Sequence, residues 1–445
     1  MTRLNLPQPA STTSRREFLA QSASLAGTAV ATGLVATGGV HAAGSDALRI
    51  GLIGCGGRGT GAVASALQVN PAARLVAVAD AFEDYARKPV AALKRQFGDR
   101  ITVDDDHVFS GFDGHEKLLQ SGVDVAILAE PPHFRPRHLE ACVEAGVHVF
   151  AEKPMAVDAP GVRRVLAAGE KARQKNLSFV SGFETRYGNG AREAVKRIRD
   201  GAIGDILAIH GTYNTGYLWH RGRQPEWTEM QFQMRNWYYF TWLSGDHIVE
   251  QHVHFYDVVG WLMQDEPPVN AWGYGGRQVR VEPKWGDIFD HHAVVLEYPT
   301  GTRVFGFTRQ QNNCYNGVSY LVIGSKGRLT HGSRAGWVLS SNSGQPIETI
   351  EYGAEQPELN TFRETFAGMA AGKPVNDSLS MGRSTQLAIL GRMATHTGQL
   401  VTWDEGFASN RVLAPKSYEW NADPPVLPNA EGNYPVPKPG LTTEL

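Results

Sequence analysis

A lysine and a histidine are the residues of this chain whose types and surroundings could do chemistry together. Lys153 stands in Glu152-Lys153-Pro154, directly after the apolar run 147–150, which is typical of a strand. An ammonium group at the carboxyl end of a parallel strand can hydrogen-bond to a substrate hydroxyl and favour its deprotonated form. A surface lysine before a proline is also common, so Lys153 alone does not define a site.

The histidine stands in the segment 245–257, for which the sequence predicts one continuous helix. At about 100° per residue, Glu250 and His254 would lie about 40° apart on one face of that helix. A carboxylate beside an imidazole can orient the ring and raise its basicity, as general acid–base catalysis requires. His252 would point elsewhere on the helix. A histidine packed in the core is the alternative interpretation.

A metal centre is the other alternative for these histidines. His252 and His254 could in principle be joined by Asp290, His291 and His292. These residues are widely separated in the sequence and show no spacing typical of metal ligands. The three cysteines are too few and too scattered for a zinc site or a disulfide framework. We therefore predict that no metal is bound.

A glycine-rich loop predicts a dinucleotide site. The segment 54–59 matches the pattern G-x-G-x-x-G between a predicted strand and a predicted helix. Gly54 would allow a tight turn, Gly56 the approach of a pyrophosphate, and Gly59 close packing of the helix on the sheet. The cofactor-binding residues that the loop predicts are Gly54, Gly56, Gly57, Arg58 and Gly59.

Asp80 ends the next predicted strand, about 20 residues beyond the loop. A carboxylate there accepts hydrogen bonds from the adenosine ribose hydroxyls and repels a 2′-phosphate. The cofactor predicted is therefore NAD. NADP stays open, because Arg58 or Arg87 could meet a phosphate.

The elements that would position these residues fall into two domains. Predicted strands alternate with predicted helices over 48–181, which indicates a Rossmann domain with a doubly wound parallel sheet. Hairpin patterns around 299–301 and 324–327 indicate a second α/β domain over 182–405, with a largely antiparallel open sheet. The proline-rich residues 406–445 are expected to form an extended tail.

The first 42 residues resemble a twin-arginine signal peptide. Arg15 and Arg16 precede a weakly hydrophobic stretch, 18–40, and small residues suited to cleavage after Ala42. An N-terminal anchor or a chance arginine pair is the alternative. Export by this machinery would make the protein periplasmic or extracytoplasmic, with NAD tightly bound before transport. The formal net charge of −2 argues against a nucleic-acid partner.

Taken together, the glycine loop, Glu152-Lys153-Pro154 and the pair Glu250/His254 resemble the Gfo/Idh/MocA oxidoreductases. The resemblance spans 48–405 and includes the segments 131–133, 146–149, 182–187 and 201–205. It implies an open-sheet domain that often forms homo-oligomers. It also implies catalytic roles for Lys153 and His254, with Glu250 where the family usually has Asp. Further cofactor contacts implied by the resemblance are Pro132, His133, Glu152 and Lys153.

Aromatic residues between 213 and 242 suggest where a substrate would bind. Flat rings suit the C–H faces of sugars, although aromatic runs more often form a core or an oligomer interface. Arginines nearby could bind hydroxyls or a carboxylate. The substrate-contacting residues predicted are Arg186, Tyr187, Trp237, Tyr238 and His252.

The function predicted is NAD(P)-dependent hydride transfer with a secondary hydroxyl of a sugar, cyclitol or glycoside. A redox-neutral NAD-dependent glycoside hydrolase is the first alternative. It would oxidise the sugar transiently at C3 and eliminate the C1 substituent. A non-catalytic sugar-binding or sensor protein is the second alternative, because the fold alone does not fix function.

Overall fold

The computed structural model describes residues 47–332, 336–351 and 356–443. The predicted signal peptide lies outside these residues. Two sheets dominate the described part of the chain. None of its helices is both long enough and apolar enough to span a membrane.

The first sheet has six parallel strands in the order β3-β2-β1-β4-β5-β6. Its central strands are buried on both faces, which explains their nearly continuous apolar sequence. Each strand is followed by a crossover to the next, and this confirms the doubly wound parallel sheet. The strands are β1 (Arg49–Ile53), β2 (Arg74–Asp80), β3 (Val108–Ser110), β4 (Val125–Leu128), β5 (His148–Ala151) and β6 (Phe179–Ser181), and the helices are α1 (Gly57–Val69), α2 (Glu83–Phe97), α3 (Gly114–Gln120), α4 (Arg135–Glu144) and α5 (Ala159–Gln174).

The second sheet has nine strands in the order β14-β13-β12-β11-β7-β10-β9-β8-β15. Every neighbouring pair is antiparallel except β7 and β10, so the largely antiparallel sheet is confirmed. Both predicted hairpins are present, as β9–β10 and β11–β12. The strands are β7 (Ile206–Thr215), β8 (Asn270–Gly276), β9 (His291–Glu297), β10 (Arg303–Gln310), β11 (Gly317–Gly324), β12 (Gly327–Gly332), β13 (Gly336–Ser341), β14 (Pro346–Ile350) and β15 (Val401–Thr402).

One long helix joins the two sheets. Helix α12 is buried along nearly its whole length and packs against α5, α10 and β8. Its Arg392 donates hydrogen bonds to the carbonyls of Val157 and Gly245, one from each side. The remaining helices are α6 (Asn189–Arg199), α7 (Glu229–Arg235), α8 (Thr241–Ser244), α9 (His247–Glu250), α10 (Val253–Leu262), α11 (Pro357–Ala370), α12 (Ser378–Thr397) and α13 (Trp403–Ala408).

The predicted continuous helix over 245–257 is wrong. The structure has α9 and α10 instead, separated by a turn at Gln251 and His252. The Glu250 carbonyl accepts a hydrogen bond from Lys153 Nζ at 2.8 Å, while the His254 amide points to the carbonyl of Gln251. A tertiary contact has therefore replaced the helical hydrogen bond between residues 250 and 254.

The C-terminal segment runs over the surface without helix or strand from 409 to 443. The first residues of the predicted tail, 406–408, belong to α13. The tail is anchored by its aromatic residues. Tyr418 hydrogen-bonds to His133, Trp420 packs on Phe112, and the Tyr434 hydroxyl donates to Glu229.

Candidate active site

A cavity of about 670 Å³ lies at the carboxyl ends of β1, β2 and β4. Ligands bind at this edge of doubly wound sheets, where the strand order reverses. The glycine loop and Asp80 form one wall. The opposite wall comes from the segment that follows β7, through Trp219, Arg221, Arg235 and Trp237.

The glycine loop has the shape that a pyrophosphate needs. Gly54 has φ +89°, and a Cβ there would lie 2.3 Å from the Glu130 amide nitrogen. A Cβ at Gly59 would lie 2.1 Å from the Gly54 carbonyl oxygen. Positions 56 and 57 instead face open space, and α1 begins there with its amides directed at the cavity. The loop therefore fits the phosphates of a dinucleotide.

Asp80 is the half-buried carboxylate beside this loop. Its oxygens accept hydrogen bonds from the Cys55 amide at 2.8 Å and the Phe82 amide at 3.0 Å. Burial raises the pKa of Asp80 to about 6, against the lowering effect of these two amides. Each oxygen retains a lone pair, so the carboxylate can still accept from the two hydroxyls of a ribose.

Two arginines considered for a 2′-phosphate are already paired. Arg58 contacts Glu152 at 2.6 Å and Glu358 at 3.3 Å. Arg87 pairs with Glu83 and Asp105 and does not line the cavity. Lys88 and Arg221, which line the cavity beyond Asp80, were missed by the sequence analysis.

Four predicted contacts, Pro132, His133, Glu152 and Lys153, do not line the cavity, whereas Pro131 does. The His133 ring hydrogen-bonds to the Tyr418 hydroxyl at 2.8 Å and packs edge-on against Trp242. Burial lowers the pKa of His133 to about 3, so the ring is neutral. In this structure His133 anchors the C-terminal tail.

Lys153 and Glu250 form the ion pair of the site. Lys153 Nζ lies 3.0 Å from Glu250 Oε1 and also donates to the Glu250 carbonyl. The two side chains are 16% and 15% exposed. The neighbouring Glu152 is buried and accepts from Arg58 Nε at 2.6 Å. The lysine ammonium is thus fixed in position by two oxygens of one residue.

His254 is close to this ion pair but is not oriented by Glu250. Burial lowers the pKa of His254 well below its usual range, and the positive charges of Lys153 and Arg58 lower it further. In the described part of the chain no hydrogen bond joins Glu250 to the His254 ring; Glu250 is directed at Lys153 instead. The ring is therefore a neutral imidazole, able to accept a proton, with Phe183 at its edge.

The structure brings one of the predicted substrate residues to the cavity. Trp237 lines it, together with Trp219. Tyr238 is buried behind them, and its hydroxyl accepts from Gln310 Nε2 at 2.7 Å. Gln310 also donates to Gln251 Oε1, which ties Tyr238 to the turn before His254.

The other predicted substrate residues have internal partners. Arg186 pairs with Asp257 at 2.8 Å and with Asp265 at 2.9 Å. The Tyr187 hydroxyl donates to Asp377 at 2.7 Å. The His252 ring is fully buried against Phe255 and Tyr256. Arg186 thus ties the turn after β6 to α10, and Tyr187 ties it to the start of α12. None of the three side chains lines the cavity.

A different cluster of histidines surrounds Asp246, at the start of α9. Asp246, His247 and His292 are buried, with ligand atoms within 4.8 Å of one another. Hydrogen bonds account for this arrangement. The Asp246 oxygens accept from the amides of His247 and Phe289 and from rings of His247 and His396, at 2.5–3.0 Å. The cluster that the sequence suggested, from His252 to His292, is not the one formed.

The fold and the site define a nicotinamide-dependent oxidoreductase of two domains. Residues 48–180 match the family model described as an oxidoreductase family with an NAD-binding Rossmann fold, and residues 191–330 match the GFO/IDH/MocA C-terminal domain. The chain belongs to the GFO/IDH/MocA family, and its N-terminal domain is an NAD-binding Rossmann domain.

Curated relatives include an inositol 2-dehydrogenase of Pseudomonas fluorescens, 30% identical over 74% of this chain and 88% of the relative. A 2,7-anhydro-N-acetylneuraminate hydratase of Escherichia coli is 28% identical over 46% of this chain. The matched region spans about half the length of that hydratase and of some other relatives. A myo-inositol 2-dehydrogenase structure from Lactobacillus plantarum has the same fold, with a TM-score of 0.61 over 80% of this chain and 99% of that one, at 19% identity.

Proposed function

We propose that this protein oxidises or reduces a secondary carbinol of a sugar or cyclitol with NAD. The observation that carries the proposal is the Lys153–Glu250 ion pair beside a neutral, half-buried His254. Lys153 follows β5, on the nicotinamide side of the glycine loop. The names of the inositol dehydrogenase relatives support the substrate class.

In the oxidation direction, bound NAD supplies the acceptor for the hydride that leaves the carbinol carbon. His254 accepts the hydroxyl proton. Because the pKa of His254 is lowered, its ring is a weak base, and the transfer requires that the negative charge developing on the substrate oxygen is stabilised as well. Lys153 stabilises the negative charge that develops on that oxygen. The substrate loses one hydride and one proton and becomes a ketone.

Glu250 acts in this scheme as a positioning residue for Lys153. Its carboxylate and its carbonyl both hold the ammonium, at 3.0 and 2.8 Å. This differs from the sequence interpretation, in which Glu250 orients His254. The Glu250 side chain, at the end of α9, is directed at the lysine that follows β5.

A redox-neutral reaction is the second candidate, and the hydratase relative favours it. In such a cycle the sugar is oxidised transiently, a substituent is eliminated or added, and the carbonyl is reduced again. NAD would then be held tightly and restored in each turnover. The twin-arginine pattern at 14–19 supports this candidate, because an exported enzyme has no cytoplasmic partner to recycle NADH.

We also propose that the protein forms a homo-oligomer through the second sheet. Leu207 on β7 and Phe307 on β10 are 53% and 39% exposed. Gel filtration with light scattering tests this: a monomer at micromolar concentration would contradict it.

One preparation tests the cofactor and the reaction. The mature protein is denatured, and released NAD(H) and NADP(H) are quantified by chromatography. Near one equivalent of NAD(H) per chain is expected, and an empty protein would contradict tight binding.

The sugars and cyclitols that reduce bound NAD are then found by NADH absorbance. Lys153→Ala and His254→Ala should each lower kcat/KM by about 10²–10⁴-fold. Cleavage of aryl glycosides without added NAD would distinguish the redox-neutral reaction from net oxidation or reduction of the substrate.

A further inference from the structure

The C-terminal segment supports the wall of the cofactor cavity through one tryptophan. Phe82 lies in the turn after β2 and Phe112 in the turn after β3, and both rings line the cavity. The ring of Trp420 packs on both of them, with centroids 4.7 Å from Phe82 and 4.5 Å from Phe112. Trp420 does not line the cavity itself. It therefore holds two rings of the wall without being part of the cavity surface.

Phe82 connects Trp420 to the carboxylate that is placed to accept from a ribose. Phe82 lies two residues after Asp80, and its amide donates to that carboxylate at 3.0 Å. The guanidinium carbon of Arg235, on the opposite wall, lies 4.0 Å from the centre of the Phe82 ring. Arg235 also pairs with Asp84 at 2.9 Å. A displacement of the Phe82 ring would therefore disturb both the turn that carries Asp80 and its contact with the opposite wall.

The chain around Trp420 is attached to both sides of the cavity. The Tyr418 hydroxyl hydrogen-bonds at 2.8 Å to His133, which lies between β4 and α4. The carbonyl of Trp420 accepts a hydrogen bond from the hydroxyl of Thr228, the residue that caps α7. Helix α7 carries Arg235 of the opposite wall. Backbone and side-chain contacts thus fix the indole in place from two directions.

We propose that Trp420 is a positioning residue of the NAD site. It acts through Phe82 and Phe112, whose rings it holds in the cavity wall beside Asp80. Without the indole, both rings gain rotational freedom in the free protein, and part of the binding free energy is lost in ordering them again. NAD should then bind more weakly and dissociate faster. The inference concerns the cofactor alone and does not depend on the proposed substrate.

The test measures exchange of the cofactor instead of activity. The purified holoprotein is mixed with an excess of isotopically labelled NAD. At intervals it is passed through gel filtration and denatured, and mass spectrometry gives the ratio of labelled to unlabelled dinucleotide. We expect Trp420→Ala to exchange NAD about 10-fold faster than the wild type, the effect of freeing two side chains. If the protein purifies without cofactor, calorimetry should give a Kd for NAD raised by the same factor.

A second tryptophan provides the matched control. Trp403 on α13 is half-buried like Trp420 but packs on Phe407, away from the cavity. Trp403→Ala should keep the wild-type exchange rate and Kd. Trp420→Phe retains an aromatic ring and should recover most of the slow exchange. Wild-type binding of NAD in Trp420→Ala would overturn the proposal, as would equally faster exchange in Trp403→Ala, which would indicate general destabilisation.

A double variant tests whether Trp420 acts through Phe82. Phe82→Leu removes the ring on which the indole packs but leaves the amide that donates to Asp80. In that background, Trp420→Ala should increase the exchange rate by clearly less than 10-fold, because part of its route is already lost. Fully multiplicative effects of the two substitutions would contradict positioning through Phe82. The readout is binding, so a failed substrate assignment leaves the inference intact.

Discussion

Two buried carboxylates of this protein have opposite surroundings. Asp246 is fully buried and accepts from two amides and two imidazoles. Its pKa is well below its usual range, because these donors and the nearby His292 offset the burial. Glu130 is nearly as buried but receives no hydrogen bond within the described chain. A carboxylate saturated with donors holds the protein together, whereas Glu130 has only the looser contacts with His138 Nδ1 at 3.2 Å and Arg135 Nε at 3.9 Å.

The largest expected effect is on the saturated carboxylate. Asp246→Ala removes an acceptor shared by the rings of His247 and His396, together with the side-chain cap at the start of α9. We expect a loss of about 3–5 kcal/mol in the free energy of unfolding, measured by urea denaturation. His291→Ala, next to the cluster but partly exposed, is the control and should cost under about 1 kcal/mol. Equal losses of stability in the two variants would contradict the stabilising role assigned to Asp246.

The active-site ion pair is an intermediate case. Glu250→Ala removes the carboxylate that holds Lys153 but leaves the carbonyl that also accepts from it. We expect kcat/KM to fall by about 10–100-fold, less than for Lys153→Ala, since positioning is only partly lost. Glu250→Asp, with the residue usual in the family, should recover part of the activity. A Glu250→Ala enzyme as impaired as Lys153→Ala would assign Glu250 a direct chemical role.

The loosely paired carboxylate should matter less than Asp246. Glu130→Met fills a similar volume but leaves the buried guanidinium of Arg135 without its nearest carboxylate. We expect a loss of about 1–3 kcal/mol in the free energy of unfolding, measured by urea denaturation, which is less than for Asp246→Ala because Glu130 receives no hydrogen bond within the described chain. A Glu130→Met protein as destabilised as Asp246→Ala would show that the two carboxylates contribute equally.

The smallest effect is a pH dependence at Asp80. The pKa of Asp80 in the folded protein, about 6, is above its ordinary value, so the folded state favours the protonated form. Its contribution to stability is therefore present below about pH 4 and lost as the pH rises through about 6. Binding of ribose hydroxyls needs the ionised form, so the Kd for NAD should rise about 10-fold between about pH 7.5 and 5. Asp80→Asn should bind more weakly, with a flatter pH profile.

The features that the sequence predicted correctly depend mostly on the local conformation of the backbone. The glycine loop, its strand and its helix are contiguous, and Asp80 follows one crossover later. Lys153 follows β5, as its position after an apolar run predicts. These features need only the periodicity of the chain and the handedness of the crossovers.

The features that the sequence did not reveal depend on distant contacts. Lys153 donates a hydrogen bond to the carbonyl of Glu250, which lies 97 residues away in the sequence. This contact replaces a hydrogen bond of the predicted helix, which is interrupted there. Asp246 accepts a hydrogen bond from the ring of His396, which lies 150 residues away in the sequence. Arg186 and Tyr187 look available in the sequence, but both have acidic partners more than 70 residues away.

Helix α12 has a consequence for how the protein moves. Because it is buried between the two sheets, a hinge rotation of one sheet away from the other would expose its apolar residues to water. Each Å² exposed costs about 25 cal/mol, so a wide opening is unfavourable. We therefore expect the cavity to be formed before a ligand binds, without closure of one sheet over the other.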